Sequence, residues 1–118
     1  MVCAEEDRVF HRVTLLTPSG EHNLLVREDW HIWDAAQAEG ILLPALCHQG
    51  RCLTCAGQLE GPGEFDQSDS ASYFPADRES GFILLCTAKP RSALRIRTHC
   101  QHEMRLHRRR HGLPAPYS

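Results

Sequence analysis

Three cysteines crowd into CHQGRCLTC, residues 47 to 55, and a fourth, Cys86, directly follows the apolar run FILL. Thiols at that density have three uses: disulfides, small buried hydrophobes, or soft ligands for a metal. Small secreted disulfide scaffolds are shorter, denser in cysteine and preceded by a signal peptide. This chain has 6 cysteines in 118 residues, and its start, MVCAEEDRVF, is acidic, with neither a signal-peptide nor a transit-peptide profile. Burial as a hydrophobe accounts for Cys86 but not for three sulfurs in one polar loop. Metal ligation is the use that fits all four.

The pattern is Cys47-x4-Cys52-x2-Cys55 with Cys86 far downstream, the plant-type spacing of a 2Fe-2S cluster. Two irons bridged by two sulfides need four outer ligands, and thiolates suit both oxidation states. The oxidised assembly is a dianion and the reduced one a trianion. Adding an electron is therefore costly beside low-dielectric protein, and the centre is a strong reductant unless hydrogen bonds or cations compensate. Gly50, Ala56 and Gly57 are the small residues where backbone N–H groups can approach the sulfides. Zinc is the rival, but structural zinc sites pair their thiolates as two separated knuckles, whereas here one loop supplies three.

A loop of ligands needs a scaffold. VFHRVTLL, turn TPSG and HNLLVR read as a β-hairpin, and Asp29 precedes a helix over WHIWDAAQAEG that Gly40 stops. Trp30 and Trp33 are expected to pack that helix on the sheet. AGQLE, FILLC and LRIRTH read as later strands, with a Gly/Pro/Ser/Asp-rich excursion from 61 to 80 between the first two. A hairpin, a crossing helix and late strands make a small α+β sheet with one helix on it. The segment from Gln101 has no dependable apolar face and is expected to be a mobile extension or a fraying surface helix. The expected organisation is a loose N-terminus at 1–8, a cluster domain at 9–100 and a basic extension at 101–118.

Within this one globular domain, 42% hydrophobic and 24% charged, the net charge of −2 hides a split. Acids dominate before Cys47. After Thr87 the balance inverts: Lys89, Arg91, Arg95, Arg97, Arg105, Arg108, Arg109 and Arg110 face Glu103 alone.

TLLTPSGE, DAAQAEGILLP, CHQGRCLTCAG, FDQSDS, GFILLCTAKP and IRTH resemble, in order, segments of the plant-type 2Fe-2S ferredoxins of chloroplasts and cyanobacteria. The resemblance runs from about Val9 to Glu103. It implies a β-grasp, ubiquitin-like fold with a mixed sheet and one main helix across it, and cofactor and metal ligands Cys47, Cys52, Cys55 and Cys86. Cys47 and Cys52 would hold the outer iron, Cys55 and Cys86 the inner. It implies a one-electron carrier and not an enzyme, tied to photosynthetic electron transport. Its donor would be photosystem I or a reductase, and its acceptor is open.

The departures bear on partners. Leu46 stands where the family has serine, Arg51 and Leu53 replace small or polar residues, and Ser72 holds an aromatic position with Tyr73 and Phe74 beside it. The acidic run used to dock reductases becomes FPAD, and Gln101 replaces a docking glutamate. These changes point away from ferredoxin–NADP reductase and toward an acidic partner. Leu46 lowers the potential while Arg51 and His48 raise it. One charge about 8 Å away at an effective dielectric near 40 is worth about 1 kcal/mol, on the order of 40 mV, so the sign stays open.

Cys3 and Cys100 are expected as free thiols, with a labile disulfide as the alternative. His99, His102, His107 and His111 read as charge in a basic tail rather than a metal site. RLHRRRH is too short, and too poor in aromatics, for nucleic-acid binding. No membrane insertion is expected. The competing functions are a redox or iron-status sensor that binds a protein target, and a domain of an oxygenase electron chain. Vertebrate-type ferredoxins, with one more residue between the first two cysteines, fit less well. A cytoplasmic monomer is expected.

Overall fold

The computed structural model describes residues 9–45 and 53–115. The hairpin forms as expected: β1 (Phe10–Thr17) and β2 (Gly20–Arg27) pair antiparallel from Phe10↔Arg27 to Thr17↔Gly20. Gly20 closes the turn at φ +133°, a conformation that side chains resist. Alternation is sharpest on β2, where Leu24 and Val26 are buried and Leu25 between them is 68% exposed.

The helix α1 (Ile32–Ala38) buries Ile32, Ala35 and Ala36, one helical face. Asp29 does not cap it, contrary to the sequence expectation. Asp29 is paired with Arg27 at 2.8 Å, and the residue at the cap position is His31, whose side chain makes no cap bond. The first helical N–H groups go instead to a distant segment: Ile32 N donates to the Ala88 carbonyl at 2.9 Å and Trp33 N to the Leu85 carbonyl at 3.0 Å. At the other end Gly40 N bonds Gln37 O, Ile41 N bonds Ala36 O, and Gly40 takes φ +80°, so the glycine stop is as read. Trp33 is half-buried, with its Nε1 donating to the Leu43 carbonyl at 3.0 Å; Trp30 is 46% exposed.

Three further strands complete the sheet: β3 (Ala56–Leu59), β5 (Phe82–Leu84) and β7 (Leu94–Arg97). The order is β2-β1-β7-β3-β5, with β1 and β7 parallel and the other neighbours antiparallel. On β7, Leu94 and Ile96 face the core while Arg95 and Arg97 face out. The excursion between β3 and β5 is more ordered than its composition suggests. It holds β4 (Phe65–Asp66), paired with β6 (Lys89–Pro90), and the short helix α2 (Pro75–Glu79). This mixed sheet with α1 across it is the α+β arrangement read from the sequence.

The segment from Gln101 departs from expectation. Residues Gln101–Arg110 form a third helix, α3, which buries Met104, His107 and Arg108 against β3 and α2. Two of those three are polar, so no apolar face is visible in the sequence. Arg108 is fully buried because Asp77 on α2, also fully buried, meets it: Nε and Nη2 lie 3.0 and 2.9 Å from the carboxylate oxygens. Its remaining donors reach the Pro114 and Ser72 carbonyls, and its guanidinium lies over the Phe74 ring. No helix among the described residues is long and apolar enough to cross a membrane.

Candidate metal centre

Of the four predicted ligands, Cys55 and Cys86 are described; Cys47 and Cys52, with Leu46, His48, Gly50 and Arg51, lie outside the described residues. The structure brings the described two together. Their Sγ atoms are 2.9 Å apart, and both residues are buried. That is too far for a disulfide, about 2.05 Å. Two thiolates on one tetrahedral metal with bonds of about 2.3 Å would stand about 3.8 Å apart, so a small side-chain rotation reaches chelating geometry. Among the described residues no group of three or more His, Cys, Asp or Glu side chains converges on a metal position. The pair's two soft donors fit an iron of a 2Fe-2S centre.

Each cysteine is placed by the strand next to it. Cys55 directly precedes β3, and its carbonyl accepts from Leu85 N at 3.2 Å. Cys86 sits in the turn after β5, where Thr87 N and Ala88 N both bond the Leu84 carbonyl, and α1 docks its N-terminus on the carbonyls of the flanking Leu85 and Ala88. Gln67 pins this turn from the side. Its Oε1 accepts from Leu84 N at 2.6 Å, and its Nε2 donates to Ser70 Oγ at 2.8 Å and Thr87 Oγ1 at 3.3 Å. Sequence reasoning matched FDQSDS as a segment but assigned Gln67 nothing.

The surroundings are apolar. Leu53, Ala56, Phe82, Leu84 and Met104 form one buried cluster with the two cysteines, separate from the main core under α1. Leu53, a departure noted in the sequence, is fully buried there. Gly57 also serves β3–β7 packing: a Cβ there would stand 2.8 Å from Ile96 Cγ2 and 3.0 Å from the Arg97 carbonyl.

The other candidates separate from the site. Cys100 is a buried free thiol whose Sγ lies 3.3 Å from the Arg97 carbonyl, and burial pushes its pKa up. Cys3 lies outside the described residues. His99, His102 and His111 are exposed, and His107 is buried with its ring against Phe82 and His111. Its Nε2 is 3.1 Å from Asp77 Oδ1 but lacks hydrogen-bond alignment.

Residues 16–91 match the family model described as a 2Fe-2S iron-sulfur cluster binding domain. The chain is 37% identical over 94 residues to Ferredoxin-2 of Synechococcus sp., covering 80% of this chain and 89% of that protein. It is 35% identical over 97 residues to the chloroplastic Ferredoxin-6 of Zea mays, covering 81% of this chain and 62% of the maize protein. The crystal structure of pectocin M2 superposes with a TM-score of 0.70 at 32% identity, covering 78% of this chain and 33% of the pectocin. The chain thus spans less than two thirds of the maize protein and about a third of the pectocin. On the family match and the cyanobacterial relative, with the buried thiol pair in keeping, the chain belongs to the plant-type 2Fe-2S ferredoxins, a family of β-grasp electron carriers with a 2Fe-2S cluster as cofactor.

Proposed function

We propose that Cys47, Cys52, Cys55 and Cys86 hold the cluster, and that the protein passes single low-potential electrons to a partner other than a basic reductase of the ferredoxin–NADP kind. The Cys55–Cys86 pair carries the ligand assignment, since two buried thiols from distant parts of the chain meet at 2.9 Å in an apolar pocket. The partner reading is supported by segment 72–77, where the resemblance places docking aromatics and acids. Asp77, the one acid in FPAD, is fully buried and ion-paired with Arg108. Phe74 lies under that guanidinium, and the Tyr73 hydroxyl donates inward to the Phe82 carbonyl. None of these groups is left to receive a basic partner.

A cytoplasmic setting belongs to the same proposal, in keeping with described cysteines that carry no disulfide. Single serine substitutions test the ligand set. Cys47, Cys52, Cys55 and Cys86 variants are expected to lose or alter the visible absorption and low-temperature EPR signal of the purified protein, while Cys100→Ser keeps both. An unchanged spectrum in any of the four overturns the assignment. For the partner, stopped-flow reduction of ferredoxin–NADP reductase should be slow and nearly independent of salt. A fast rate that collapses with ionic strength would count against it.

A further inference from the structure

The helix α3 presents two unlike sides. Inward, Met104 is fully buried in the apolar cluster that encloses Cys55 and Cys86, and Arg108 is neutralised by Asp77. Outward, at about 3.6 residues per turn, His102, Leu106 and Arg109 run along the middle of the exposed face, with Arg105 on one flank and Arg110, beside the exposed Glu103, on the other. Leu106 is 36% exposed, an apolar centre inside a rim of three arginines and one acid.

The cations on that rim differ from most others in the fold. Arg27, Lys89, Arg91 and Arg95 each meet a carboxylate. The guanidinium groups of Arg105, Arg109 and Arg110 have no hydrogen-bond or ion-pair partner among the described residues. The helix dipole favours cations in the last turn, yet it does not neutralise them toward an approaching molecule.

We propose that this face of α3 is the docking surface for a redox partner that presents carboxylates, with Leu106 at its centre and Arg105, Arg109 and Arg110 around it. The proposal rests on the carrier reading above and names its surface. A partner seated there is separated from the Cys55–Cys86 pair by one helix, about 10 Å across, and electron tunnelling weakens steeply with distance. The same charges steer encounter from beyond contact range.

The test uses the reduced holoprotein and two small oxidants of opposite charge, hexacyanoferrate(III) and hexaammineruthenium(III). Each takes one electron, Fe(III) to Fe(II) or Ru(III) to Ru(II), and no proton moves. The rate with the anionic oxidant should fall on the order of tenfold from low to high salt while the cationic oxidant's rate stays flat or rises. The net charge of −2 taken as a whole demands the reverse. Arg109→Glu and Arg110→Glu should each slow the anionic oxidant about threefold or more at low salt, and slow the acidic acceptor flavodoxin likewise. Arg12→Glu makes the same charge change at an exposed site on β1, which β7 separates from β3, and should have little effect. Unchanged visible circular dichroism in the variants establishes that fold and cluster survive. Equal slowing by the α3 and Arg12 variants, or an anionic rate indifferent to salt, overturns the docking surface. Failure of the protein to deliver an electron to either oxidant strikes the carrier reading instead.

Discussion

Arg108→Met tests the joint that holds α3 to the rest of the molecule. The arginine has no exposed surface and neither does Asp77, which also accepts a hydrogen bond from Phe74 N at 2.9 Å. Removing the guanidinium leaves a buried carboxylate without its counterion, at a cost of about 3–5 kcal/mol. The Ser72 and Pro114 carbonyls lose donors at 3.0 and 2.7 Å as well. With unfolding entropy of about 2.1 cal/mol/K per residue over 118 residues, the loss corresponds to a melting point lower by about 12–20 °C. The assay is melting of the holoprotein at one scan rate, followed in parallel by far-ultraviolet circular dichroism and by visible absorption of the cluster. Both transitions should fall together, because Met104 on the same helix packs in the cysteine cluster. Asp77→Leu combined with Arg108→Met removes both charges and should cost less than Arg108→Met alone. A shift of less than about 3 °C for Arg108→Met, or a double variant as costly as the two single losses added, would refute the buried-pair argument.

Gln67→Leu leaves the Leu84 N–H without its acceptor, so it should destabilise the fold by about 1–3 kcal/mol and quicken iron release to a chelator, with Gln67→Glu restoring part of the loss. Gly57→Ala drives a methyl against Ile96 and the Arg97 carbonyl, and chemical denaturation should record a loss of about 1–3 kcal/mol. Burial pushes the Tyr73 phenol well above its usual value of about 10. The folded state thus holds that proton more tightly than the unfolded chain does. Its contribution to stability is complete below pH 10 and is lost as the pH rises past it. Absorbance titration at alkaline pH should show Tyr73 ionising only with unfolding, and Tyr73→Phe should remove that late step.

Local chemistry made much of this protein legible. The hairpin was readable because its alternation and turn residues act over a few positions, and Gly40 because only glycine ends a helix cheaply at positive φ. The cysteine spacing pointed to the cluster because Cys-x4-Cys-x2-Cys with a distant fourth cysteine is the plant-type signature. The cap on α1 was misread for the complementary reason. Asp29 is chemically suited to capping, but the donors it would satisfy are already met by the Leu85 and Ala88 carbonyls.

What the sequence determined alone is therefore the cysteine spacing and the period-two strands, features whose cause lies within a short stretch of chain. Tertiary structure decided the rest. It brought Cys55 to Cys86 across the sheet and set Gln67 against the turn that carries Cys86. It also turned a basic tail into a packed helix by supplying Asp77 to a buried arginine. A charged residue reads as surface until its counterion is found, and that counterion lies on another helix, joined to it only by folding.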